Sequence, residues 1–393
     1  MPVGKPYWNP YRWVPVKNEP PELASPRYHH RFEGIRGFAW CTLEALTPLI
    51  IIGAMKSGSA ATDLHPLRSR RTGNYVIPGT SLKGMIRSLY ELLANAAVPF
   101  PERNVEVDYN HVLSRASDPS PGGAKPGGKR EVSAPKKLDP AARVFGFLHA
   151  GMVFRGLVRF SDAHPLGNLK EIGPFKVVVG QPRPGASFYP PDRNFRKFYH
   201  HHPWAKDCLR EAPPGITQTR TVFPLAAGSQ FRFRVDFENL LREELELLLY
   251  CLVLEPEVTV TLSPEALGPN FNRPVTFSGP MCHKLGGCKP QGAGSVWITL
   301  EELRVELDPS IRYRGQGRLS QETAVKIYQN GELEQFLGEC RRSALQRIPA
   351  NILGPLRAMM VFSPDDPRKD IRYPSWQEFR SLSGKSLSLK PPV

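Results

Sequence analysis

Paired cysteines and long apolar runs are both missing from this chain of 393 residues. The six cysteines are scattered without C-x-x-C spacing, so we interpret them as free thiols. No apolar run approaches the ~20 residues of a membrane-spanning helix. The first residues also lack the apolar stretch of a signal peptide. These absences predict a cytoplasmic protein with no disulfides and no membrane partner.

A full set of zinc ligands is also lacking. Cys282, His283 and Cys288 lie close together in the sequence. Structural zinc requires four ligands, and no fourth is near them. We therefore favour free thiols over a zinc site at this position.

Acidic residues are too few to balance the basic ones. Lys and Arg number 52 against 37 Asp and Glu, which gives a net charge of +15. Such a positive field suits a polyanion, and both nucleic acid and an anionic membrane surface meet that description. The 41 prolines and 33 glycines indicate that much of the chain is loop.

The rest of the chain is organised around residues 73–90. A proline-glycine turn predicts the start of a helix, which Thr80 or Ser81 is expected to cap. The apolar positions of this helix recur at helical spacing, at Leu82, Met85, Ile86, Leu89 and Leu93. Lys83 and Arg87 share another face, and beside a helix N-terminus they form a candidate anion site. The alternative is a helix with a solvated basic face.

Alternating apolar and polar residues predict the strands. These strands lie at 35–52, 152–161, from 230 onward, 258–262 and 296–307. Apolar residues at helical spacing predict a second helix over 241–252. The order β, α, β, β, α, β is that of the ferredoxin-like, RRM-like fold. We therefore predict an α+β protein.

The composition changes along the chain and divides it into three parts. Residues 1–33 form a proline- and aromatic-rich arm, which we expect to dock on its own core; stacking on bases or on a neighbouring subunit is the alternative. The core spans 34–307 and carries a mobile, basic insertion at 101–142 and a second irregular segment at 177–222. Residues 308–393 form a partly helical extension.

Two irregular segments carry cations suited to RNA. The loop after the first strand contains Arg68, Arg70 and Arg71, and long loops between regular elements are commonly functional. The segment 177–222 interleaves basic residues, among them Arg220, with aromatic rings. Cations bind phosphates and rings stack on bases, so this pattern is typical of single-stranded nucleic acid binding.

A glycine-rich loop and a run of histidines complete the candidate features. Lys284 and Lys289 lie in the glycine-rich loop, which permits close backbone approach to a phosphate. His200, His201 and His202 are consecutive, and we interpret them as solvated or phosphate-contacting side chains. A metal site or a general acid and base is the alternative.

Five ordered motifs span residues 36–307. They are the strand entering Leu-Ile-Ile-Ile-Gly; Ile-Pro-Gly-Thr-Ser-Leu-Lys-Gly with the following Arg87; Val-Phe-Gly before a strand ending Phe-Ser-Asp; Thr-Arg-Thr-Val before a strand ending Phe-Glu-Asn; and Lys-Pro-Gln-Gly-Ala-Gly-Ser-Val. In this order they resemble the RAMP superfamily, the repeat-associated proteins of CRISPR effector complexes. The resemblance is greatest to the guide-RNA backbone subunits of type III complexes.

The resemblance implies a shape like a right hand. The RRM-like core would be the palm, and residues 177–222 a thumb that wedges between guide and target strands. Related RAMP-type subunits would stack head to tail along a guide RNA. Related subunits that cut target RNA have an aspartate fifteen positions before the proline of the Ile-Pro-Gly motif, and Asp63 stands at that place here.

The resemblance also implies a mechanism. The thumb would expose one phosphodiester of the target, the adjacent 2′-hydroxyl would attack in line, and a cyclic phosphate would remain. Asp63 would hold a divalent metal, normally Mg²⁺, or orient that hydroxyl. Lys83, Arg87 and the loop from Lys284 to Lys289 would bind guide phosphates.

Three hypotheses follow. The first is a guide-RNA-binding backbone subunit of a type III CRISPR ribonucleoprotein, active in antiviral defence, that cleaves complementary target RNA with Asp63. The second is a non-cleaving scaffold of the same architecture, in which Asp63 is structural. The third is a guide-processing endoribonuclease that uses His200 to His202 or His283 as acid and base without a metal.

Overall fold

A computed structural model describes residues 8, 10–17, 19–52, 63–96, 137–149, 152–178, 195–204, 219–267, 271–306, 325–369 and 371. Within these ranges the protein is a mixed α+β structure. No helix in this part of the chain has both the length and the apolar character needed to cross a membrane.

Three of the described strands have eleven or twelve residues, and the others have five or fewer. They are β1 (Tyr11–Pro15), β2 (Ile35–Ala45), β3 (Asp63–Leu64), β4 (Gly146–His149), β5 (Met152–Arg155), β6 (Val158–Phe160), β7 (His164–Pro165), β8 (Phe175–Val178), β9 (Phe195–Tyr199), β10 (Thr219–Val222), β11 (Gln230–Leu240), β12 (Val258–Leu262), β13 (Val275–Gly279), β14 (His283–Lys284), β15 (Ser295–Glu306) and β16 (Val325–Tyr328).

Helices occur between the strands of the main sheet and after it. They are α1 (Gly79–Leu93), α2 (Pro140–Phe145), α3 (Arg242–Val253), α4 (Pro264–Leu267), α5 (Asn330–Gln346) and α6 (Ala350–Met360). A short 3-10 turn covers Lys289–Gln291.

The main sheet has the strand order β14-β15-β2-β11-β6, with β16 paired to β15 and β7 paired to β11. Each of these pairings is antiparallel. Alternate residues of β2, from Ala39 to Ala45, are buried on one face of the sheet. They share a single apolar core with α1 and α3, so the two helices cover that face.

The predicted apolar stripe of α1 is confirmed. Leu82, Ile86, Leu89 and Leu93 are buried, and Met85 packs half-buried against the same core. Because residues three and four apart lie on one side of a helix, this stripe fixes which face of α1 meets the sheet.

The predicted cap of α1 is wrong. The helix begins at Gly79 after Pro78, and neither Thr80 nor Ser81 caps it. Instead Asp162, two residues after β6, accepts a hydrogen bond from the Gly79 N–H at 2.8 Å. A Cβ on Gly79 would lie 2.2 Å from the Phe160 carbonyl oxygen, so only glycine permits this close approach of helix and strand.

Two of the predicted strands differ from the observed ones. The first strand ends at Ala45 rather than continuing to residue 52, because Pro48 cannot donate to a ladder. Leu49 and Ile50 are nevertheless fully buried. The strand predicted over 152–161 is divided into β5 and β6, and the prediction at 258–262 matches β12.

The described part of the N-terminal arm packs on the rest of the chain. β1 pairs with β9 in antiparallel register from Tyr11–Tyr199 to Pro15–Phe195. The Tyr11 and Val14 side chains are buried, and α6 contacts both strands of this pair. In its described part, the C-terminal extension contains the helices α5 and α6.

Much of the two predicted insertions lies outside the described residues. Of the interval 101–142, the structure describes residues 137–142, and α2 begins within it at Pro140 with an Asp139 side-chain cap. Of 177–222 it describes the end of β8, then β9 with the histidines that follow, and β10.

Candidate functional site

Asp63 lies at the edge of a small three-stranded sheet with the order β3-β10-β8. β3 is parallel to β10, with Asp63 opposite Thr221. β8 is antiparallel to β10, with Lys176 opposite Thr221. The three side chains therefore stand in one row across the same face of the sheet.

The opposite face of this sheet is packed, which fixes the orientation of the row. Leu64, Val177 and Val222 are buried there in a small apolar cluster with Ile50 and Ala293. Because successive strand residues alternate between faces, burial of Leu64 and Val222 directs Asp63 and Thr221 to the other side. Asp63 and Lys176 are both exposed.

His65 lies next to this row. Its ring stacks on the Phe223 ring, with centroids 4.3 Å apart and planes 7° from parallel. Its Nδ1 is 3.2 Å from Oε2 of Glu171. Asp63, His65, Thr221 and Phe223 therefore occupy adjacent positions on one exposed face.

Glu171 holds several side chains of the site together. Its Oε1 accepts hydrogen bonds from the Tyr75 hydroxyl at 2.7 Å and from Nη2 of Arg68 at 3.1 Å. Partial burial acts to raise the pKa of Glu171, but bonds from Tyr75, His65 and Arg68 outweigh it and lower that pKa below its usual value. Glu171 is thus an anion that anchors the site.

The three arginines predicted for the loop differ in their surroundings. The Arg68 guanidinium lies 3.8 Å from the centroid of the Tyr75 ring and pairs with Glu171. Arg70 and Arg71 lie in the exposed turn that follows. Arg70 and Arg71 are therefore better placed than Arg68 to meet an external phosphate.

The helix cations are less available than their spacing suggests. Nε of Arg87 is 2.7 Å from Oε1 of Glu91, and its Nη1 donates to the Gly146 carbonyl at 3.1 Å. Arg196 binds the other oxygen of Glu91, also at 2.7 Å. Lys83 is half-buried, and burial, then the nearby Arg87 charge, lower its pKa. With Asp162 at the helix N-terminus, the predicted anion site already contains internal carboxylates.

The glycine-rich loop contacts its own chain closely. A Cβ on Gly286 would lie 2.3 Å from the Ile50 carbonyl oxygen, and one on Gly294 would lie 2.0 Å from that of Leu285. Nζ of Lys284 donates to the Gly292 and Ala293 carbonyls at 3.2 and 3.0 Å. These glycines therefore permit internal packing, which differs from the phosphate approach that the sequence indicated.

The remaining predicted RNA-binding cations, Lys284, Lys289 and Arg220, are half-buried, whereas Lys176 is exposed. Burial and then the neighbouring Lys289 charge lower the pKa of Lys284 to about 7. Burial and then Lys197 lower the pKa of Lys289. Arg220 lies opposite Val177, on the packed side of the small sheet.

The interpretation of the histidines as solvated is wrong. His200, His201, His202 and His283 are all buried. His201 is 3.0 Å from both Ser295 Oγ and the Cys282 carbonyl, and His283 is 3.2 Å from the Leu252 carbonyl. Buried and hydrogen-bonded side chains cannot reach a substrate phosphate, which argues against the histidine-dependent endoribonuclease.

The five cysteines in the described ranges, Cys41, Cys251, Cys282, Cys288 and Cys340, are buried free thiols. Cys208 lies outside those ranges. Within them, no three His, Cys, Asp or Glu side chains are grouped as metal ligands.

The carboxylates of this face decide whether the site fits the divalent metal that the resemblance implies. Glu171 already accepts hydrogen bonds from three side chains. Asp63 is a second carboxylate of this face, and it is exposed. Mg²⁺ keeps several waters and binds through one or two carboxylates with substrate phosphates. One exposed carboxylate fits such an ion, so Asp63 would hold it together with RNA.

Sequence reasoning missed Lys176, Glu171, Tyr75 and Phe223. Phe223 continues the alternation of Thr219 and Thr221, and this pattern was visible in the sequence. Glu171 had no signal, because it lies about a hundred residues from the arginine and tyrosine that it binds.

In its described residues the protein is thus an α+β protein with a main sheet, a three-stranded sheet and three two-stranded sheets. A helix-covered antiparallel sheet accompanies a small sheet whose open face combines a carboxylate, a hydroxyl, a lysine and a stacked histidine.

This chain belongs to the RAMP superfamily, whose family pattern matches residues 42–255, more than half of the chain. One solved structure that it resembles is a chain titled "Type IV-B CRISPR Complex". The TM-score is 0.34 and the identity 16%, over 67% of this chain and 90% of that chain. No curated protein matches the sequence.

Proposed function

We propose that this protein is a guide-RNA-binding backbone subunit of a type III CRISPR effector complex that cleaves complementary target RNA and so acts in antiviral defence. Membership of the RAMP superfamily supports the class. The single observation that supports cleavage is the row of the exposed Asp63, the half-buried Thr221 and the exposed Lys176 on a sheet whose other face is packed.

The topology supports a ferredoxin-like palm. Along the chain the elements run β2, α1, β6, β11, α3, β15, and in space the strands run β15-β2-β11-β6, all antiparallel. This is the arrangement of the split βαβ fold. In the proposed complex, other RAMP-type subunits stack head to tail on the same guide.

The small sheet supports a thumb beside Asp63. The segment 177–222 leaves from β8 and returns at β10, and Val178 lies opposite Thr219 in this ladder. Both ends of the segment are therefore neighbouring strands of the sheet that carries Asp63. A thumb built on that base would present the target strand to Asp63.

The proposed mechanism is attack of the target's 2′-hydroxyl on the adjacent phosphorus. Asp63 accepts a hydrogen bond from that hydroxyl and so orients it in line with the leaving 5′-oxygen. As the bond from the 2′-oxygen to phosphorus forms, the bond from phosphorus to the 5′-oxygen breaks and a 2′,3′-cyclic phosphate remains. The hydroxyl proton passes to solvent water, and the 5′-oxygen takes a proton from water. The Lys176 ammonium stabilises the negative charge that develops on the phosphoryl oxygens. A bound Mg²⁺ would supply further charge neutralisation at the phosphate.

Replacing Asp63 tests the cleavage. In a complex assembled on its guide, Asp63→Asn is expected to slow cutting of a labelled complementary RNA by about 10²-fold or more, because the orienting carboxylate is lost. Target binding should persist. Chelation with EDTA is expected to stop the wild type as well.

The matched control is Asp365→Asn, which removes an exposed carboxylate from a turn outside the small sheet. It should cut at the wild-type rate. If the wild type binds target and never cuts, the chain is a scaffold. If the wild type cuts and Asp63→Asn cuts equally well, the catalytic group lies elsewhere.

Removing Arg70 and Arg71 tests guide binding. Each phosphate contact that is lost lowers the slope of log affinity against log salt by about 0.7 for a single strand. Arg70→Ala with Arg71→Ala is therefore expected to weaken guide binding and lower the slope by about 1.4. Filter binding over a series of salt concentrations measures both quantities.

The control pair is Arg31→Ala with Arg342→Ala, which removes the same charge from exposed positions outside the small sheet. A general effect of net charge would make the two double variants equal. Equal slopes would therefore remove the assignment of guide phosphates to the 70–71 turn.

A further inference from the structure

The His65–Phe223 pair is an aromatic stack at the open face of the small sheet. The two rings are nearly parallel, 7° apart, at a centroid separation of 4.3 Å. Phe223 is half-buried, whereas the His65 side chain is 54% exposed. One side of the imidazole is therefore covered by phenylalanine, and the ring remains open to contact by another planar group.

The orientation of His65 is fixed by more than the stack. Nδ1 is held 3.2 Å from Glu171, and Glu171 is in turn bound by Tyr75 and Arg68. A side chain held at one edge and on one face loses little further freedom when a ligand stacks on it. Such preorganisation favours binding.

The charges around the stack match a nucleic acid. Arg68 binds the same carboxylate as His65, so a guanidinium lies beside the ring. Lys176 stands on the same face as Asp63, two strands away in register. A flat ring flanked by cations suits a nucleotide, whose base stacks while its phosphates meet the positive charges.

Strand geometry relates the stack to the reacting group. Asp63 begins β3, and His65 directly follows this strand, with the buried Leu64 between them. The Phe223 N–H donates to the Leu64 carbonyl at 3.0 Å, so the extended pairing continues past β3. Extended geometry then places Asp63 and His65 on the same face, about 7 Å apart. This spacing is roughly that of one nucleotide along an extended RNA strand. A base on His65 would therefore belong to a nucleotide adjacent to the phosphate at Asp63.

We infer that the His65–Phe223 stack is a binding site for a nucleobase of the target strand next to the phosphodiester at Asp63. This inference rests on the proposed function. His65 is a positioning residue here: it fixes the nucleotide through its ring plane, and Asp63 acts on the phosphate.

The test combines base removal with ring removal. Complementary target RNAs, each with a single abasic position, are measured for binding and cleavage in the guide-assembled complex. For the wild type, one abasic position beside each cut should weaken binding about five- to 150-fold. His65→Ala should weaken binding of the intact target by a similar factor. In this variant the abasic position should cause no further loss of binding, because the missing base and the missing ring remove the same stacking interaction.

His65→Phe separates stacking from polar chemistry. Phenylalanine keeps a flat ring against Phe223 and cannot bind Glu171 or carry a proton, so it should restore binding and the abasic sensitivity. His164→Ala, which removes an exposed histidine on β7, is the matched control and should resemble the wild type. Thermal melting of each variant checks that the fold is intact.

The outcomes are distinct. If the wild type cuts target and His65→Ala shows the same abasic profile, the base site is wrong and the proposed function stands. If His65→Phe is as defective as His65→Ala, the histidine acts through its nitrogens and the stacking site is wrong. If the wild type neither binds nor cuts complementary RNA, the proposed function and the base site both fail.

Discussion

Between pH 7 and pH 5 the free energy of unfolding is expected to fall by about 4 kcal/mol or more. The cause is the group of buried histidines, His200, His201, His202 and His283. Nη1 of Arg368 lies 3.0 Å from Nδ1 of His200. Because arginine always donates, this His200 nitrogen must accept and therefore be unprotonated.

The sign of the effect follows from the direction of the pKa shifts. Burial, followed by nearby positive charge, lowers the pKa of His200 and His201 well below the ordinary value. Burial lowers the pKa of His202 and of His283 from 6.5 to about 4. The unfolded chain thus binds more protons than the folded one between about pH 6.5 and pH 4, and stability is lost as the pH falls through that window.

The magnitude is large against a typical domain stability of about 5–15 kcal/mol. A histidine with a pKa of 6.5 unfolded and about 4 folded loses about 2 kcal/mol of stability between pH 7 and pH 5. His202 and His283 together account for the 4 kcal/mol, and His200 and His201 act in the same direction. Urea unfolding at a series of pH values measures the loss.

A matched pair of variants identifies the residues responsible. His201→Gln keeps a polar side chain and removes one titrating group, so it should flatten the pH dependence even if it lowers stability at pH 7. His164→Ala removes an exposed histidine and should leave the slope unchanged. A flat profile for the wild type from pH 7 to pH 5 would contradict the burial of this cluster.

Glu91→Ala is expected to lower the free energy of unfolding by about 3–5 kcal/mol. The Glu91 side chain is 6% exposed and binds Arg87 and Arg196, each at 2.7 Å. Its removal leaves two guanidinium groups close together without their carboxylate. It also removes the ion pair between Glu91 of α1 and Arg196 of β9. Urea unfolding at neutral pH measures this loss.

Two further substitutions serve as controls for the loss of stability in Glu91→Ala. Glu91→Gln keeps the shape and part of the hydrogen bonding, so its loss should be smaller. Glu334→Ala removes an exposed carboxylate from α5 and should change stability by no more than about 0.5 kcal/mol. A loss below about 1 kcal/mol for Glu91→Ala would mean that the ion pair behaves as a solvent-exposed one.

The periodicity of apolar residues in the sequence predicts the helices and strands whose buried face it defines. The stripe of α1 and the alternation of β2 and β11 follow from helical and strand periodicity, and the structure confirms them. The Asp162 cap of α1 does not follow from periodicity, since the carboxylate comes from just after a strand far along the chain. Propensity favoured Thr80 or Ser81, and tertiary geometry placed another acceptor there.

In the candidate site, too, only some features can be predicted from local sequence patterns. Asp63 was identified by resemblance to a family and not by local spacing. The row with Lys176 depends on strand register between distant segments, and register cannot be read from one strand alone. The histidines were misjudged because their burial depends on segments far along the chain. Arg368 contacts His200, and Ser295 and Cys282 contact His201.

The position of β2 between β11 and β15 has a consequence for biosynthesis. Glu44 pairs with Gln230, and Ala45 pairs with Val296, so both neighbours of this central strand are encoded far downstream. At a translation rate of about 5–20 residues per second, β2 leaves the ribosome roughly 10–40 s before its first neighbour exists. During that time its alternating apolar face has no sheet to join. A nascent chain stalled before residue 230 should therefore be an efficient client for chaperones, whereas one released after residue 306 should not.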